Sequence, residues 1–155
     1  MMNELIALPV PWMISPSAPD LEVTSHENGD TIVLASIALP AERKPPSVLA
    51  GAVRITLAAG LWVRVAPTLL DSDIPERFRK MEIDRSIFKA QWISSGICPD
   101  PGIYRVENSA WLAEEKLAVG KWKHFLIHGH DSWAEILAVD CTWEFVEENT
   151  GEVAF

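Results

Sequence analysis

Three times along this chain of 155 residues, two runs of alternating apolar and polar residues flank a tight turn, a pattern that commits the polypeptide to antiparallel β-structure. The strongest instance joins Leu21 to Glu27 and Asp30 to Leu39 through Asn28-Gly29, two residues that tolerate positive φ. A two-residue turn there pairs Val23 with Leu34 and Ser25 with Ile32, and it points Val23, Ile32 and Leu34 at the core. The second instance sets Val53, Ile55 and Leu57 against Leu61, Val63 and Val65 across Ala58-Ala59-Gly60, with Trp62 and Arg64 on the opposite face. The third pairs Trp122 to Gly129 with a long strand over Trp133 to Phe145.

The remaining signals are weaker. Pro9, Pro11, Pro16 and Pro19 make residues 1–20 an extended lead-in, with enough apolar content, including Trp12 and Met13, to pack along the domain. Asp73 followed by Pro75 predicts a short helix over Ile74 to Lys80, and Met81 to Ile93 reads as strand whose apolar phase changes near Ile87-Phe88, as at a bulge or between two separate strands. Ile103 to Val106 is expected as a strand, then a helix over Ala110 to Ala118 capped by Asn108 or Ser109 and ended by Gly120. The fold expected is mainly β: one domain over residues 1–155, an antiparallel sandwich or barrel built from sequential hairpins with one or two short helices.

A net charge of −9 opposes sequence-independent binding to nucleic acid, whose phosphates require a basic patch. No apolar run approaches the ~20 residues that span a bilayer. Residues 1–14 carry no Lys or Arg and are interrupted by proline, unlike a signal peptide. With Cys98 and Cys141 far apart and outside any C-x-x-C pair, the expected setting is the reducing cytoplasm. Phosphate-binding glycine loops and the G-x-S-x-G serine elbow are both missing.

Side chains with proton or metal chemistry are concentrated between Lys123 and Glu135. In a strand, the period of two puts His124, Leu126, His128 and His130 on one face. A turn at His130-Asp131 then pairs His128 with Trp133 and Leu126 with Glu135, bringing Glu135 onto the histidine face. His124 and His128 have the spacing of the helical zinc-protease motif, but Phe125 occupies the place of its glutamate. The order His128-Gly129-His130, four residues, Glu135 resembles the first metal-binding motif of cupins. That resemblance covers about eight residues and implies a divalent transition metal held by His128, His130 and Glu135, with His124 nearby. Trp122 and Thr142 stand where the cupin pattern has glycines, and its second motif is missing.

After Lys123 there is no further Lys or Arg, while seven acids follow, among them Glu144, Glu147 and Glu148. Of the seven tryptophans, Trp111 and Trp143 have the phase of core residues, whereas Trp62 and Trp133 have a phase that exposes them. The function expected is therefore a non-enzymatic protein-binding, accessory or inhibitor module without cofactor. Its acidic face, with Trp62, Trp133, Glu144, Glu147 and Glu148, would meet a basic protein. The alternative is a cupin-like metal-dependent enzyme using the His/His/Glu site.

Overall fold

A computed structural model describes residues 3–15, 21–40, 51–60, 62–67, 77–118, 120–129 and 132–146. They form two curled sheets facing one another, in a mainly β architecture of half-barrel or sandwich type. The first sheet has the order β6 (Trp62–Pro67), β10 (Ser132–Ala138), β9 (Lys123–His128), β8 (Ile103–Glu107), β1 (Asn3–Ala7), β7 (Phe78–Lys80). In the second, β11 (Asp140–Phe145) pairs with β5 (Ala52–Ala58) and β5 with β4 (Thr31–Ala38). The other edge of β4 is shared by β3 (Glu22–Ser25) and β2 (Met13–Ile14). Every pairing is antiparallel except that of β1 with β7. Among the described residues two helices complete the fold, α1 (Phe88–Ser95) and α2 (Ala110–Glu114).

Alternation along each strand decides which side chains fill the space between the sheets. Val33, Ala35, Ile37, Val53, Ile55 and Leu57 from one sheet meet Ile103, Phe125, Ile127, Ala134, Ile136 and Ala138 from the other. The proline-bearing lead-in belongs to this core. It supplies Val10, Trp12 and Ile14, all buried, and is tied down by Cys98 N–H to Val10 O, Ile14 N–H to Pro101 O and Trp92 Nε1–H to Pro11 O. Gly102, at φ 85°, lies where a Cβ would come within 3.0 Å of Ile14 Cβ, so the close approach requires glycine.

The first hairpin forms with a different register from the one expected. Glu27-Asn28-Gly29 makes a three-residue loop, with Gly29 left-handed at φ 96° and His26 N–H bonded to Asp30 O. The extra residue pairs Val23 with Val33 and Ser25 with Thr31. That one-residue slip turns Thr31, Val33, Ala35 and Ile37 inward and leaves Ile32 and Leu34 half-buried on the outer face.

The second expected hairpin does not form, since β5 and β6 lie in different sheets. The long strand expected over Trp133 to Phe145 likewise breaks at Val139 into β10 and β11. These two departures have one cause. β5 and β6 on one side, and β10 and β11 on the other, make an antiparallel ribbon that folds from one sheet into the other. One more residue separates Ala58 from Trp62 than Leu137 from Asp140, which is a bulge at the corner. Ala59 is left-handed there at φ 55°, and the bend is held by Ala59 N–H to Asp30 Oδ1, Thr31 Oγ1–H to Gly60 O and Val139 N–H to Ala58 O.

Two further expectations are corrected. Phe78–Lys80 is strand β7, not the end of a helix, because it completes the edge of β1; residues 74–76 of the expected helix lie outside the described residues. The strand expected over Met81 to Ile93 is a turn leading into α1, which buries Phe88 and Trp92 and ends at left-handed Gly96. The strand at Ile103 and the helix capped by Ser109 form as expected, the helix stopping at Glu114.

Candidate functional site

On the outer face of the first sheet, β9 presents His124 and β10 presents Glu135, with only 1% and 0% of their side chains exposed. The register that brings them together is the one read from the sequence, with Trp133 opposite His128 and Glu135 opposite Leu126. Two charge-bearing groups buried at mid-sheet must be paired. Glu135 Oε1 accepts from His124 Nε2 at 2.9 Å and from Arg77 Nη1 at 2.9 Å, while its Oε2 is held by Arg77 Nη2. Arg77 immediately precedes β7 and closes over the sheet as a two-pronged clamp.

The other ring nitrogen of His124 lies 2.7 Å from Ser109 Oγ. Ser109 is the N-cap of α2 and accepts from Leu112 N–H at 3.1 Å, so its hydroxyl hydrogen is available to His124 Nδ1. This order of donors fits an imidazole with its proton on Nε2. Asn3 completes the frame by donating to Arg77 O and accepting from Ala110 N–H. The imidazole is enclosed edge-on by Trp111, at 5.4 Å between centroids, and by Phe78, at 5.9 Å. Arg64 stacks 3.8 Å over the Trp111 ring.

Burial alone pushes the Glu135 carboxyl up. Hydrogen bonds from His124 and Arg77, with the charge of Arg77, outweigh it and hold Glu135 below the usual carboxylate range. Asp100 is governed in the same way beyond β7. Burial raises it, but hydrogen bonds from Lys80 and Tyr104 and the charges of Lys80 and Arg85 bring it below its ordinary value.

Serine, histidine and glutamate in sequence of contact are the parts of an activated nucleophile. Here the parts are otherwise engaged. The Ser109 oxygen caps a helix, the Glu135 charge is taken up by Arg77, and His124 is enclosed by two rings. The chemistry this arrangement serves best is fastening, since it ties α2, β7, β9, β10 and β1 into one outer layer. Replacing Ser109 by Ala should cost about 2 kcal/mol, from the lost cap and the unpaired His124 nitrogen. Threonine at the same place should restore most of it, as urea unfolding would show.

Of the residues expected to hold a metal, Glu135 is turned to His124 and Arg77, His128 sits opposite Trp133 near the strand end, and His130 lies outside the described residues. Among the described residues no group of three or more His, Cys, Asp or Glu side chains is placed to hold an ion. A cupin-like site would require Glu135 to leave its guanidinium. Arg77 and Asn3 were not legible as site residues. The one available signal was a glutamate in the otherwise apolar run Ala134 to Ala138, which needs a cation if the strand is buried.

The residues expected at a binding surface are not all on one face. Trp62 and Trp133 are half-buried on the first sheet, Trp62 edge-on against Trp122 and Trp133 beneath Arg77. Glu144 is exposed on β11, paired with Arg54 at 2.6 Å; Glu147 and Glu148 lie outside the described residues. Trp111 is buried as expected, but Trp143 is 37% exposed, because β11 is an outer strand that the facing sheet leaves partly uncovered. Both thiols are unbonded, with Cys98 pushed up to about 11 and Cys141 to about 12, in each case chiefly by burial. No helix among the described residues is long and apolar enough to cross a membrane. No family model, curated protein or solved structure gives a match to this chain.

Proposed function

We infer that this protein works by binding another protein, without catalysing a reaction, and that the partner lies as an added strand along β11. The observation that carries this reading is the placement of Trp143 on a strand whose second edge is unpaired among the described residues. Such an edge offers backbone hydrogen bonds to an extended segment, and tryptophan is a preferred anchor at protein interfaces. β11 has two chemically distinct faces. Cys141, Trp143 and Phe145 alternate with Asp140, Thr142 and Glu144, so the complementary segment alternates apolar and basic residues.

Like charge repels a second copy of β11, which is how edge strands avoid pairing with themselves. The acidic balance disfavours nucleic acid in the same way. The Arg54–Glu144 pair is exposed, worth about 0–1 kcal/mol, and so yields readily to a partner's cation. Two free thiols favour a reducing, cytoplasmic setting, and an accessory or inhibitory role is the natural one for such a module.

Panning the full chain against a displayed library of random nonapeptides tests this directly. Enriched sequences should alternate apolar and basic residues, bind more weakly as salt rises, and lose at least tenfold in affinity, about 1.4 kcal/mol, against Trp143→Ala. Enrichment indifferent to Trp143→Ala, or of peptides without basic residues, would overturn the proposal.

A further inference from the structure

The end of the molecule around α1 differs in charge from the rest. Five of the chain's 13 basic residues fall between positions 77 and 89, although the net charge is −9. Beside α1 lies a groove of about 360 Å³ with an apolar floor that includes Met13, Leu39, Phe88 and Trp92. Its only charged lining residues among those described are Arg85 and Lys89. The volume falls in the range of small-molecule sites, about 300–1,000 Å³.

The two cations are placed to receive an anion. Arg85 stands 4.9 Å over the Phe88 ring, so its guanidinium is held above the floor. Its one carboxylate contact among the described residues, Asp100 at 3.4 Å, is shared with Lys80 at 2.8 Å, which leaves two cations on one acid. Lys89 follows Arg85 by four residues and makes no ion pair among the described residues. An apolar floor with uncompensated positive charge at its rim matches a ligand with an apolar body and one anionic end.

We propose that this groove binds an amphiphilic carboxylate of the size of a medium-chain fatty acid, its tail on Phe88 and Trp92 and its carboxylate between Arg85 and Lys89. This site is separate from β11 and stands whether or not a partner docks there.

Isothermal titration of the full chain would use three probes below their micellar concentrations: decanoate, decanol and decyltrimethylammonium. Decanoate should bind at least ~10-fold more tightly than decanol, the value of one charge-assisted hydrogen bond, and the cationic probe should bind worst. Lys89→Glu, at an exposed position, should leave the free protein's melting temperature unchanged, weaken decanoate at least ~10-fold and improve the cationic probe. Equal affinity for the three probes, no binding of decanoate, or indifference to Lys89→Glu would overturn the proposal. So would self-association on sedimentation that decanoate leaves intact and Lys89→Glu abolishes, since a second copy would then fill the groove.

Discussion

Replacing Arg77 by Ala should destabilise the protein by about 3 kcal/mol, a large share of the ~5–15 kcal/mol that holds a domain together. Glu135 is wholly buried, and without the guanidinium its charge retains only His124. The figure is at the lower end for a broken buried pair because Arg77 is 40% exposed, so water can enter where it stood. Lysine at position 77 should recover part of the loss, restoring the charge but not the two-pronged contact. In the Arg77→Ala background, Glu135→Gln should be stabilising, because it removes the uncompensated charge while keeping an acceptor for His124.

The effect has a defined pH window. A carboxyl depressed in the folded state contributes stability that is complete above its unfolded pKa, about 4.3, and is lost as pH falls through the lower folded pKa. The cost of Arg77→Ala should therefore be full at neutral pH and shrink as pH falls through and below the ordinary carboxylate range and Glu135 takes up a proton. Asp100 loses its contribution in the same direction, so urea midpoints are best compared with Glu135→Gln, which keeps Asp100 and isolates Glu135.

Truncating Trp12 to Ala should cost about 3–5 kcal/mol, as for other large-to-small changes in a closed core. Trp12 is 0% exposed and packs edge-to-face on Trp143, at 5.6 Å between centroids. Phenylalanine should be far better tolerated. The Trp12 Nε1 hydrogen finds no acceptor among the described residues, so its removal forfeits volume but no hydrogen bond. A loss below about 1 kcal/mol for Trp12→Ala in urea unfolding would mean that the lead-in is not part of the core.

How far the fold could be read from sequence depended on which physical rule governed each segment. Lys123 to Ala138 was legible down to its register, because a short turn and a period of two leave little freedom. Around Asn28-Gly29 the turn was found but its length was not. A left-handed glycine serves both two- and three-residue loops, and the choice between them reverses every side chain of β4. At Ala58 to Gly60 and at Val139, local pattern could not distinguish a strand that turns back from one that bends into a second sheet. That difference rests on contacts with Asp30 and Thr31, distant in sequence. Of the polar cluster, His124 and Glu135 were visible as candidates and Ser109 as a cap, while Arg77 arrives from the turn before β7, distant in sequence, and proximity of that kind leaves no local trace.

The separation of a fastening cluster from a binding edge can be tested by amide hydrogen exchange on the full chain, with and without a peptide enriched in the panning experiment. Protection gained within Asp140–Phe145, with exchange around Ser109, His124 and Glu135 unchanged, is the expected result. Protection centred on those three residues, with β11 unaffected, would place the functional surface over the polar cluster and contradict the assignment to β11.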